Sequence, residues 1–141
     1  MNDTSENAIT GTSRLTKDSK IRVLVVDDDV KILRFIRSSL TLAGYDVATA
    51  TSGEQALKLV ESDKPDIMLL DIFMPVMDGF EVLRRIRLVS ELPVIAFSAH
   101  ASAAEEALRL GANGFLAKPF RPDGLVKIIN TFLNHGSNQS V

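Results

Sequence analysis

The sequence predicts an α/β domain: a doubly wound (βα)5 fold around a five-stranded parallel sheet of order 2-1-3-4-5. Strand-like apolar runs alternate five times with helix-like amphipathic segments along the chain. Such alternation implies a parallel sheet with helices on both faces, because right-handed crossovers place them there. The runs 23–26 and 67–70 also lack polar alternation, as expected of strands covered on both sides. Finally, four runs end on polar residues: Asp27-Asp28-Asp29, Asp71, Ser98 and Lys118-Pro119. In a parallel sheet these ends share one edge, where ligands bind in open α/β folds.

Each element has its own signal. Residues 21–26 are apolar apart from Arg22, and Ile32, Phe35, Ile36, Leu40 and Ala43 then recur at helical spacing. Gly44 can end that helix in a left-handed cap. A weaker strand covers 45–50, and Ser52 with Gln55 makes a capping-box signature for a helix through Ala56, Leu57 and Val60. The Pro65-Asp66 turn precedes the strand 67–70. Asp78 and Glu81 form a second capping box before a helix with Phe80, Leu83 and Ile86 on one face. Residues 94–97 form the fourth strand; Ala103, Ala107, Leu108 and Leu110 mark a short helix stopped by Gly111. The fifth strand is 115–117, and Leu125, Ile128, Ile129, Phe132 and Leu133 mark the last helix.

A length of 141 residues suits one compact domain. Residues 1–20 are rich in Ser, Thr and Asn, and 134–141 read similarly. Both ends are expected to be disordered tails around a domain at 21–133, since they cannot bury enough surface to offset ordering entropy. No apolar run approaches the roughly 20 residues that span a bilayer, and no signal-peptide pattern opens the chain. With no Cys, disulfides and thiolate metal sites are excluded, and a reducing, cytoplasmic compartment is expected. A formal net charge of −2 gives no basic footprint for nucleic acid.

Three consecutive acids after a buried strand raise one another's pKa unless something positive relieves them. A hard cation such as Mg²⁺ does so with oxygen ligands. In the order 2-1-3-4-5 the first and third strands are neighbours, so Asp27 and Asp28 would meet Asp71. Asp29 is better read as a helix cap. Lys118 precedes Pro119, which disfavours helix at the lysine and would hold its ammonium over the sheet edge.

Together these residues resemble the receiver domain of two-component response regulators. The matches are Val25-Val26-Asp27-Asp28, Leu70-Asp71 with Met74-Pro75 and Met77-Asp78-Gly79, Ser98-Ala99 and Lys118-Pro119-Phe120. The resemblance implies a flavodoxin-like three-layer sandwich and a signalling switch, not a turnover enzyme. By position it makes Asp71 the phospho-acceptor, and Asp27, Asp28, Asp71 and the backbone carbonyl of Phe73 the Mg²⁺ ligands. Lys118 and Ser98 would contact phosphoryl oxygens, with Lys118 paired to Asp71 at rest. Ser98 and Phe115 would form the switch, although the family often has Tyr where Phe115 stands. The implied donor is a sensor histidine kinase or histidine phosphotransfer protein, and the output a downstream protein partner. Neither His100 nor His135 is expected to be phosphorylated; His100 stands where the family varies and tunes access of water.

Two other function classes compete. A phosphohydrolase forming an aspartyl-phosphate needs a second acid two residues after its nucleophile; Asp71 lacks one, whereas Asp27 has Asp29. A phosphorylation-independent interaction module would show no Mg²⁺-dependent labelling. The segment Glu81-Val82-Leu83-Arg84-Arg85-Ile86 resembles receivers attached to winged-helix DNA-binding domains. However, Asn113-Gly114 replaces acids those receivers use in a charged dimer face. The expectation is therefore a monomer, or a phosphorylation-dependent dimer through the fourth helix, fifth strand and fifth helix. No output domain is visible in the 141 residues, so the chain is either stand-alone or a piece of something longer.

Overall fold

The computed structural model describes residues 20–138, with side chains described as far as Asn134. The elements run β1 (Arg22–Val26), α1 (Val30–Leu42), β2 (Asp46–Ala50), α2 (Gly53–Asp63), β3 (Ile67–Asp71), α3 (Gly79–Val89), β4 (Val94–Ser98), α4 (Ala103–Arg109), β5 (Gly114–Ala117) and α5 (Pro122–Asn138). All strand pairs are parallel, and the sheet order is β2-β1-β3-β4-β5. The alternation of runs implied the parallel sheet, and the order is the expected 2-1-3-4-5, which makes the first and third strands neighbours.

Strand side chains alternate between two cores. Leu24, Val26, Met68, Leu70, Val94 and Ala96 face α2, α3 and α4. Val23, Val25, Ile67, Leu69, Ile95 and Phe97 face α1 and α5. Every residue of β3 and β4 is buried, which explains why neither run tolerates polar alternation. Each fully buried Leu or Ile adds about 1.5–3 kcal/mol of transfer free energy, so both layers anchor the sheet firmly.

The helix ends follow local chemistry. Asp29 caps α1 by accepting from Lys31 N at 2.9 Å, as the sequence suggests. Gly44, at φ +97°, turns the chain out of α1. Ser52 accepts from Gln55 N at 3.2 Å, while Gln55 reaches back to Thr51 N, one residue beyond the cap. Asp78 accepts from Glu81 N at 3.0 Å, but Glu81 turns away to Arg84 and Arg85, so this box closes on one side only.

Three expectations shift. Phe35 and Leu108, placed on core faces by periodicity, are 41% and 48% exposed. The last helix continues to Asn138, past the boundary after Leu133, and so takes in residues 134–138 of the expected tail. The rest of the two tails, 1–19 and 139–141, lies outside the described residues.

Candidate functional site

Register brings the polar strand ends together. Val26 pairs with Leu70, Asp71 with Phe97 and Ser98 with Ala117, so Asp27, Asp71, Ser98 and Lys118 all stand at the C-terminal edge of the sheet. The order in which strands are added reverses between β1 and β3, and this opens the crevice there. Asp27 follows β1 directly, and its N–H donates to Ala50 O at 3.1 Å. Asp71 is the last residue of β3.

Three carboxylates converge. Asp27, Asp28 and Asp71 each offer an oxygen within 4.8 Å of the others. Asp27 and Asp71 are buried, at 1% and 3% exposure, while Asp28 faces solvent. Lys118 Nζ donates to Asp27 Oδ2 at 3.2 Å and lies 3.5 Å from Asp71 Oδ1. The sequence led us to expect a pair with Asp71; the ammonium bridges both acids. The Lys118–Pro119 peptide is cis.

Electrostatics there is unbalanced. One ammonium faces three acids, and the Asp71 carboxyl is pushed up from its usual 3.8 to about 7. Burial is the main cause and the charge of Asp27 the second; Lys118 pulls the other way. A cluster of hard oxygen donors in which Asp71 resists ionisation suits a small divalent cation, which would relieve the repulsion at once. The residues therefore fit Mg²⁺.

The surrounding residues complete the edge. Ser98 is buried, with Oγ accepting from His100 N at 2.9 Å. The ring of Phe73, two residues past Asp71, is half exposed and meets His100 edge-on at 5.1 Å and Phe80 at 6.3 Å. Phe115 lies in β5 opposite Ala96 and packs, partly buried, against the α2–α3–α4 core. Of His135 only the backbone, within α5, is described.

Two residues have supporting roles that the sequence reading did not assign. A Cβ at Gly79 would stand 2.5 Å from Asp71 O and 2.7 Å from Ile72 Cα, and the Gly79 N–H donates to Ile72 O at 2.7 Å. Glycine thus lets α3 start against the backbone of Asp71 itself. Val76 adopts φ +68°, and Met77 N donates across it to Pro75 O at 2.8 Å, a strained γ-turn for a β-branched residue. The Met-Pro and Met-Asp-Gly spacing was the only sequence signal for either.

Comparison with known proteins agrees with this geometry. The family model of the response regulator receiver domain matches residues 23–130. The chain is 35% identical over 125 residues to a probable transcriptional regulator, ycf27, of Cyanophora paradoxa, covering 87% of this chain and 52% of that protein. It is 40% identical over 116 residues to the response regulator MprA of Mycolicibacterium vanbaalenii, covering 80% of this chain and 50% of the relative. The chain thus spans about half the length of these curated relatives. Among solved structures, chemotaxis protein CheY4 of Vibrio cholerae superposes with a TM-score of 0.74 at 34% identity, covering 79% of this chain and 97% of that one. A CheY-like receiver domain protein from Methanospirillum hungatei gives 0.80 at 29% identity, covering 86% and 99%. Fold, site residues and sequence likeness lead to one assignment: this chain belongs to the response regulator receiver domain family.

Proposed function

We propose that Asp71 accepts a phosphoryl group from the phosphohistidine of a sensor histidine kinase or phosphotransfer protein, with Mg²⁺. The carrying observation is the convergence of Asp27, Asp28 and Asp71, with Lys118 bridging the two buried acids, Asp27 and Asp71. In the transfer, an Asp71 carboxylate oxygen forms the new P–O bond as the donor's P–N bond breaks; the imidazole leaves with the electron pair and takes a proton from solvent. Asp27, Asp28, Asp71 and the Phe73 carbonyl would hold the cation, which supplies charge neutralisation on the transferring oxygens. Lys118 sits where its ammonium can turn from the carboxylates to a phosphoryl oxygen.

The acyl phosphate raises the negative charge at Asp71 and adds strong acceptors. In this reading Ser98 Oγ releases the His100 N–H and donates to a phosphoryl oxygen, and Phe115 turns inward behind it to change the face offered to a downstream protein. Phe115 has no hydroxyl, so the readout is steric. The protein acts as a switch, a phosphoprotein that catalyses only its own Mg²⁺-dependent phosphorylation and dephosphorylation. It works as a monomer, or as a dimer formed through α4, β5 and α5 on phosphorylation. A cytoplasmic location belongs to the same reading, since the kinase draws on ATP.

The phosphohydrolase alternative weakens on one observation: Asp29, the second acid it needs, is committed to capping α1. The test is labelling by acetyl phosphate. Labelling should need Mg²⁺ and vanish in Asp71→Asn; undiminished labelling of that variant would overturn the assignment. For the switch, NMR spectra with and without beryllofluoride and Mg²⁺ should differ around Ser98 and Phe115. An unchanged Ser98–Phe115 region would remove it.

A further inference from the structure

Lys118 has a third neighbour besides its two acids: its Nζ lies over the ring of Phe97, 5.1 Å from the centroid. We infer that Phe97 is a positioning residue that holds the Lys118 ammonium over the acceptor carboxylate by a cation–π contact. The inference rests on Asp71 being the acceptor and adds a component that no site residue so far provides.

The geometry supports a fixed platform. Phe97 lies in β4, directly opposite Asp71 in the register, and is 2% exposed. Its ring is held edge-to-face by Phe120 at 5.7 Å and 86°. Phe120 in turn packs on Phe35 of α1 at 6.3 Å. Three rings from α1, β4 and the segment after β5 thus form one continuous chain of contacts that ends on the ring under the ammonium. Such pairs add roughly 0.5–1.5 kcal/mol each beyond area burial in general, so the ring of Phe97 has little freedom to turn away.

Chemistry explains why an aromatic face suits this position. Lysine is a flexible four-carbon stem with a point charge, and its two ionic contacts here are long. A third carboxylate would fix it but would add to the acid excess. The ring quadrupole attracts the ammonium without adding charge, and in a water-poor setting the attraction strengthens. It also has no preferred direction around the ring axis. The ammonium can therefore swing from Asp27 and Asp71 toward a phosphoryl oxygen while keeping its aromatic support. An aliphatic residue would fill the same space without that attraction.

The first readout is spectroscopic and needs no labelling. In the wild-type protein, NMR should show cross-relaxation between the Lys118 ε-methylene and the Phe97 ring protons. The Lys118 ε-methylene should resonate upfield of the other lysines and return to the common position in Phe97→Leu. Absence of the cross-relaxation, or an unchanged resonance in the variant, overturns the inference. The second readout is the rate of Mg²⁺-dependent labelling by acetyl phosphate. Phe97→Leu should slow it by about 3- to 30-fold, the range a desolvated cation–π contact supports. In a Lys118→Ala background the same substitution should change the rate by less than about two-fold, because the effect passes through the ammonium. Equal slowing in both backgrounds means that Phe97 acts only on packing, and the inference fails. A wild type that takes no label removes the acceptor assignment instead, and the resonance still decides where Phe97 holds Lys118.

Discussion

Replacing Asp71 by asparagine is expected to stabilise the metal-free protein while abolishing its labelling. Burial, and secondarily the charge of Asp27, push the Asp71 carboxyl from 3.8 to about 7 in the folded chain. The folded state therefore holds this proton more tightly than the unfolded state does. The resulting cost is absent below about pH 4, grows as pH rises between about 4 and 7, and is complete above that. The rise from 3.8 to about 7, at about 1.4 kcal/mol per pH unit, sets a ceiling of about 4 kcal/mol. Asparagine keeps the shape of the protonated acid and carries no charge, so it should recover about 1–4 kcal/mol of that at pH 8. Urea unfolding with a chelator present is the assay. The variant should be more stable than wild type at pH 8, with the gap closing as pH falls toward 4. Millimolar Mg²⁺ should stabilise the wild type and scarcely affect the variant, which has lost a ligand. An asparagine variant that is less stable at pH 8, or a gap that ignores pH, would refute the account of an electrostatically overloaded site.

Other residues give equally direct tests. Gly79→Ala should cost about 3 kcal/mol in unfolding free energy, because its Cβ would fall 2.5 Å from Asp71 O and the backbone must give way. A cost near zero would show that α3 can start elsewhere. Asn113 Oδ1 accepts from the buried Val94 N–H at 2.8 Å and from Arg87 at 2.9 Å, so Asn113→Ala should destabilise by about 1–3 kcal/mol through orphaned donors. An unchanged midpoint in thermal unfolding would contradict that. His100→Ala removes the edge contact on Phe73 and should shorten the lifetime of the phosphorylated form by admitting water, as read by loss of label after the donor is removed. An equal or longer lifetime would show that the pair does not guard the site.

The sequence makes the strands and the site edge legible because both depend on short-range rules. Continuous apolar runs that stop on Asp27, Asp71 and Ser98 report burial on both faces followed by a loop, while the shorter run that stops on Lys118 is the half-buried edge strand β5. The cap at Asp29 and the left-handed turn at Gly44 are likewise local. Periodicity is less informative at the margins of a helix: it marks Phe35 and Leu108 as apolar-face residues but cannot say that neighbouring elements stop short of covering them. The roles of Gly79 and Phe97 are hidden for another reason. One depends on backbone from β3 passing within a methyl's width, the other on a lysine and two rings from distant segments. Nothing in a valine- or phenylalanine-rich strand pattern separates a core ring from one that also supports a charge.

The most direct measurement is to map the modified residue. Borohydride reduces an aspartyl phosphate to homoserine, so mass spectrometry of the labelled, reduced protein reads the acceptor by position. Homoserine is expected at residue 71 alone, with Mg²⁺ required and none formed in the presence of a chelator. Homoserine at residue 27, 28 or 29, or phosphate recovered on Ser98 or His100, would contradict it.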